Sequence, residues 1–128
     1  MRFHLDTTFL IDWQRVDPRI DSLRNELIAG QHELSIDPII EAEFFAAQPV
    51  DRDKQLVFEG VQSIAEWVPL TSEACRLAGS WLARLDVPSR RRHFGDALIA
   101  ATAALRDATL ITADLRIARV FPVAGLEC

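Results

Sequence analysis

Four carboxylates, Asp6, Glu43, Asp96 and Asp114, hold positions from which side chains of this type can do chemistry. Asp6 directly follows the first predicted strand, Arg2–Leu5, and Asp114 follows the apolar run Thr109–Thr112 by two residues. For these two the competing reading is helix capping, because an acid before Thr7-Thr8 or before Leu115-Arg116-Ile117 satisfies free helical N–H groups. Glu43 is more telling. At about 100° per residue it falls among Ile39, Ile40, Phe44 and Ala47, on the apolar face of its helix, whereas Glu41 points roughly the opposite way. A carboxylate on a core-facing stripe is costly unless something cationic meets it, so Glu43 belongs either to a functional site or to a buried salt bridge with an arginine. Asp96 opens an alanine-rich helical stretch with Ala100 and Ala103 on its own side, where small residues allow close backbone approach. Its competing reading is a first-turn acid favoured by the helix dipole.

What accompanies these acids narrows the reaction. His4, His32 and His93 are isolated, neither Ser nor Cys sits in a nucleophile-elbow context, and there is no Gly-rich phosphate cradle, so covalent catalysis is not expected. Converging carboxylates without histidine suit the hard cations Mg²⁺ or Mn²⁺ rather than Zn²⁺. Such a site activates water, and the matching reaction is phosphodiester hydrolysis.

The frame must carry these residues to one place. A chain of 128 residues with 49% hydrophobic content buries one core, so a single domain over residues 1–128 is expected. No apolar run approaches the roughly 20 residues needed to span a bilayer. The N-terminus meets Asp6 before an apolar run develops, unlike a secretory signal, and a cytoplasmic protein without membrane contact is the expectation. Cys75 and Cys128 have neither the density nor the spacing of a disulfide framework or zinc site. A net charge of -5 argues against a broad basic surface. It leaves room for a nuclease that neutralises the scissile phosphate with metal ions and holds the rest on a small basic patch.

Periodicity alternates short strands with amphipathic helices. Strands are predicted at 2–5, 33–36, 65–68, 109–112 and 123–127, and helices at 8–14, 18–29, 38–47, 52–63, 72–85 and 94–106. Asp17-Pro18 and Asp37-Pro38 each supply a capping acid followed by a first-turn proline. This order implies an α/β fold with a mainly parallel sheet covered by helices on both faces, and ligands beyond the carboxyl ends of its strands.

The residues resemble the PIN-domain ribonucleases over essentially the whole chain, and most closely the VapC-type toxins of toxin–antitoxin pairs. Leu5-Asp6-Thr7-Thr8-Phe9-Leu10-Ile11-Asp12 is similar to the family's opening strand and first acid, and Ile39-Ile40-Glu41-Ala42-Glu43-Phe44-Phe45 to its glutamate helix. Phe94-Gly95-Asp96-Ala97-Leu98-Ile99-Ala100-Ala101-Thr102-Ala103 is the most specific match, followed by Leu110-Ile111-Thr112-Ala113-Asp114. The resemblance implies a three-layer α/β/α domain with a sheet of four or five strands. It further implies Mg²⁺-dependent endoribonuclease activity, with Mn²⁺ as a substitute, on an RNA substrate. In that reading Asp6 and Asp96 are the central metal ligands, Glu43 and Asp114 complete the acidic pocket, and Thr8 and Thr112 are supporting polar neighbours. A small antitoxin partner and a homodimer are also implied. Asp37 stands where the family often has Ser or Thr. Arg116 and Ile117 stand where it commonly has an acid and an aromatic, so a carboxylate that would support a second ion is missing.

Arg90-Arg91-Arg92 precede Asp96 closely enough to contact RNA phosphates or an antitoxin's acidic groups; the alternative is a solvated loop. Trp13, Trp67 and Trp81 are read as core or interface residues. Three other classes compete. A haloacid-dehalogenase-type domain needs a second Asp where Thr8 stands, and a receiver domain needs a late lysine, whereas the only lysine is Lys54. A catalytically silent PIN-like binding module is disfavoured by the presence of all four acids.

Overall fold

The computed structural model describes residues 1–47 and 52–127. Its elements in chain order are β1 (Arg2–Leu5), α1 (Thr7–Gln14), a 3-10 turn (Pro18–Ile20), α2 (Asp21–Ile28), β2 (Glu33–Ile36), α3 (Pro38–Ala46) and α4 (Arg52–Gln62). There follow β3 (Glu66–Trp67), α5 (Ser72–Leu82), α6 (Val87–Arg92), α7 (Phe94–Leu105), β4 (Thr109–Thr112), α8 (Arg116–Val120) and β5 (Gly125–Glu127). The five strands form one sheet in the order β3-β2-β1-β4-β5, with every pairing parallel. The chain steps outward from β1 to β3, then returns across the sheet to β4 and β5. Such a reversal puts the helices before β3 on one face and those after it on the other, the expected three-layer α/β/α arrangement.

Local chemistry sets the boundaries. Asp17 accepts from the Arg19 N–H, and Asp37 from the N–H groups of Ile39 and Ile40, so both Asp-Pro starts act as predicted. The first, however, begins a tight 3-10 turn, so the predicted helix 18–29 splits in two. Gly30, at φ +83°, ends the second part in the left-handed region that a glycine enters without steric cost. The predicted strand 65–68 is reduced to two residues at the sheet edge, although the Val68 N–H still donates to the Ile36 carbonyl at 2.8 Å. The predicted strand 123–127 begins only at Gly125, where a Cβ would come within 2.8 Å of Ala118 on α8. The end of the predicted helix 38–47 and the start of 52–63 flank residues 48–51, which lie outside the described set.

The core joins Phe3 and Leu5 of β1, Leu34 and Ile36 of β2, and Leu110 and Ile111 of β4 to Phe9, Phe44 and Ile99 from the helices and to Phe121 just past α8. Burial of each large side chain contributes about 1.5–3 kcal/mol. On α5, Ala74, Ala78 and Leu82 recur one helical turn apart and meet the buried alanines of α7, so those two helices approach closely. Trp81 stacks on Phe121 at 5.7 Å, and Trp13 lies edge-on to Phe9 at 5.8 Å, whereas Trp67 is exposed. One polar chain crosses the sheet interior. His4 is fully buried, with Nδ1 2.7 Å from Ser35 Oγ and Nε2 2.7 Å from Asp37 Oδ2. Asp37 therefore ties β1 to the start of α3 while capping that helix. Among the described residues no helix is long and apolar enough to cross a membrane.

Candidate active site

The order of strands reverses between β1 and β4, and a crevice opens at their carboxyl ends, the place where open parallel sheets bind ligands. Asp6 is the first residue past β1. Its N–H donates to the Ile111 carbonyl at 2.9 Å, which extends the ladder by one step and sets Asp6 level with Thr112 at the end of β4. Thr112 Oγ1 and Thr8 Oγ1 each donate to Asp6 Oδ2 at 2.8 Å. Thr8 Oγ1 in turn accepts the Ala113 N–H at 2.9 Å, so the two threonines fasten the start of α1 to the end of β4 through one carboxylate oxygen. Asp6 stands at the N-cap of α1 yet its side chain makes no capping hydrogen bond there, so capping does not account for the choice of an acid. Burial pushes its carboxyl above the usual range; the two hydroxyls offset this in part, and the Asp96 charge adds to it.

Glu43 reaches the same crevice from α3. Its Oε1 accepts from Thr7 Oγ1 at 2.8 Å, and its Oε2 lies against Gly95. Among the described residues its hydrogen-bond partner is thus Thr7, where a salt bridge would have required an arginine. Burial raises its carboxyl, and the charges of Asp6, Asp96 and Asp37 raise it further. Glu41 is separated as the helical wheel predicts; it accepts from Trp67 Nε1 at 2.8 Å, near the sheet edge. Asp96, in the first turn of α7, is partly exposed and lies 3.3 Å from His93 Nδ1. Asp6, Glu43 and Asp96 are therefore one electrostatic unit.

Asp114 behaves differently. Arg116 grips it with both ends of its guanidinium, Nε to Oδ1 at 2.8 Å and Nη2 to Oδ2 at 2.7 Å, and the Arg116 N–H also donates to Oδ1. This pairing holds the Asp114 carboxyl below the usual range. Asp114 shares an open cleft with Asp96, His93, Arg92, Arg116 and Arg119, at the mouth of the site. Its turn-forming hydrogen bond is the role that capping predicted; the ion pair with Arg116 is additional.

Arg90-Arg91-Arg92 form the last turn of α6 and not a solvated loop, because Asp86 caps that helix through the Ser89 N–H and Pro88 fits its first turn. Arg90 is structural: it donates to the Leu82 and Leu85 carbonyls at the end of α5. Of the run, Arg92 lines the cleft. Thr7 and Gly95 escaped sequence reasoning, since their roles appear only when α1, α3 and α7 meet. The run Asp6-Thr7-Thr8 held one usable signal, a second hydroxyl beside the first acid.

Asp6, Glu43 and Asp96 offer carboxylate oxygens, a donor set that fits a hard divalent ion, whereas Asp114 is already paired with Arg116. Among the described residues, no three His, Cys, Asp or Glu side chains stand close enough together to chelate an ion by themselves. Mg²⁺ meets that condition because it retains several waters and takes only one or two carboxylates.

Comparison with known proteins agrees with this fold. The family model described as PIN domain matches residues 4–121. The chain is 30% identical over 118 residues to Ribonuclease VapC19 of Mycobacterium tuberculosis (strain CDC 1551 / Oshkosh), an alignment covering 92% of this chain and 93% of that protein. Its fold is similar to that in the crystal structure of VapBC2 from Rickettsia felis bound to a promoter DNA fragment, with TM-score 0.78 and 19% identity over 99% of this chain and 98% of that one. DNA-bound VapBC from Salmonella typhimurium gives TM-score 0.77 and 20% identity over the same shares.

Proposed function

This chain belongs to the PIN-domain family, and from that premise we propose that it is a metal-dependent endoribonuclease acting as the toxin of a toxin–antitoxin pair. The observation that carries the reading is the meeting of Asp6, Glu43 and Asp96 at the β1–β4 switch point, where burial, and to a lesser degree the neighbouring acids, raises the Asp6 and Glu43 carboxyls. Asp6 and Asp96 would hold Mg²⁺, or Mn²⁺ in its place, with Glu43 and Asp114 completing the acidic set. An ion there lowers the pKa of attacking water and neutralises charge developing on the phosphate. Thr8 and Thr112 orient Asp6 through Oδ2, keeping Oδ1 clear of those two hydroxyls. Thr7 and Gly95 fix the Glu43 carboxylate from two sides.

The named relatives support the biological setting: one is called a ribonuclease, and the similar structures are VapBC assemblies. A small cognate antitoxin and a homodimeric toxin follow as proposals. The silent-module alternative is disfavoured because each acid sits on the crevice or at its mouth.

The test is cleavage of single-stranded RNA by purified protein freed of antitoxin, with Mg²⁺ or Mn²⁺, beside Asp96→Asn. Loss of about a hundredfold or more in the variant is expected for removal of a ligand or its positioning. Equal activity in the two proteins overturns the assignment.

A further inference from the structure

We propose that Arg92, Arg116 and Arg119 form a wall that holds the RNA phosphates flanking the scissile one. Arg92 ends α6, and Arg116 and Arg119 stand one turn apart on α8, so residues distant in sequence converge on one cleft beside Asp96 and Asp114. In a chain of net charge -5, three guanidinium groups around a single cleft reverse the local sign. Arg92 and Arg119 are exposed, and among the described residues neither side chain makes a hydrogen bond or salt bridge, although the charge of Arg92 is felt by Asp86. Their neighbour Arg90, in contrast, is occupied by backbone carbonyls.

The planar guanidinium fork matches phosphate oxygens in pairs. The wall adjoins Asp96, so a phosphodiester seated at the carboxylates carries its next phosphates along the arginines by chain continuity. That argument rests on the ribonuclease reading and favours RNA over an acidic peptide. Arg116 is paired with Asp114 when no RNA is bound, which leaves Arg92 and Arg119 to report on the wall.

The experiment measures binding of fluorescent single-stranded RNA by anisotropy across a salt series in EDTA, where no cleavage occurs. It compares wild type, R92Q/R119Q, and R2Q, which alters an arginine at the opposite end of the sheet. At about 50 mM salt the double variant is expected to bind about tenfold more weakly, and its log–log salt slope to be smaller by about 1.4, the value for two lost single-strand phosphate contacts. R2Q should match wild type, and coincident thermal melts should show that all three fold alike. A double variant with wild-type affinity and slope overturns the wall, as does wild type that does not bind RNA. A fluorescent polyglutamate peptide is the second probe: if the double variant loses peptide binding and keeps RNA binding, the wall serves acidic peptides and the proposal falls. The two readings fail separately. RNA binding that depends on the arginines, with no cleavage when Mg²⁺ is added, removes the ribonuclease reading alone; cleavage with unchanged binding in the double variant removes the wall alone.

Discussion

Oε2 of Glu43 lies 2.7 Å from the point where a Cβ on Gly95 would stand. The space beside Asp96 that a side chain would occupy is filled by the end of another acid. Gly95→Ala should therefore push the Glu43 carboxylate aside without breaking the helix, because the displaced atoms end a flexible side chain. RNA cleavage is expected to fall about tenfold or more, since small misplacements at a site are costly. The melting temperature should stay within about 2 °C of wild type, and a collapse in stability instead of activity would contradict the relationship.

Thr112 Oγ1 donates to Asp6 and accepts the Asp114 N–H at 2.9 Å. Thr112→Val keeps the shape and removes both bonds. A destabilisation of about 1–3 kcal/mol is expected for the unsatisfied buried partner, read by urea unfolding. The Asp6 carboxyl should titrate still higher, which carbon-detected NMR can follow.

Metal-free stability should depend on pH in a definite direction. Asp6 and Glu43 titrate higher in the folded protein than at their unfolded values of 3.8 and 4.5. Between those values and the folded ones the folded state binds more protons, so stability falls as pH rises through that window and stays lower above it. Asp17, lowered to about 2 by Arg19, and Asp86 and Asp114 act oppositely, losing their contribution as pH falls below 3.8. Melts in EDTA should thus show a maximum at mildly acid pH, and Asp6→Asn should flatten the decline toward about pH 7.

Mg²⁺ should reverse that decline in wild type. At a concentration about a hundredfold above its Kd, a bound ion stabilises by about 2.7 kcal/mol, several degrees in a melt. Asp6→Asn should melt higher than metal-free wild type near neutral pH and respond little to added Mg²⁺. A wild-type melt indifferent to both Mg²⁺ and Mn²⁺ would count against the ion.

Arg90→Ala should separate fold from function within the arginine run. Loss of its hydrogen bonds to the Leu82 and Leu85 carbonyls is expected to cost about 1 kcal/mol. RNA affinity should change far less than in R92Q/R119Q; an equal loss would make the run a uniform basic patch.

Strands β1, β2 and β4 are legible to the residue because each is a short segment carrying apolar residues and closed by a polar group at the sheet's carboxyl edge. β3 is not, since Ala65 and Val68 are buried by helices as well as by strand pairing, and hydrophobicity alone does not distinguish the two. Helix α6 carried the same acid-then-proline start in Asp86-Val87-Pro88 as α3 does in Asp37-Pro38, but the arginines that follow have no apolar period. Helix α8 spans five residues, too few to show one. At the site, Glu43 was separable from Glu41 because helical geometry is local. The grip of Arg116 on Asp114 was hidden because it depends on the turn after β4, and Gly95 was hidden because its significance lies in another helix.

The hydroxyls on Asp6 come from residues 8 and 112, and the strand beside β1 on that side is β4. A ribosome releases β1 early, yet the crevice has no second wall until more than a hundred residues have followed. A chain that stops short of β4 therefore carries Asp6 without Thr112 or Asp114, so the crevice takes shape only once β4 has paired with β1. The strand order thus makes the site a late product of folding, dependent on a contact between residues 6 and 112 and not on any local segment.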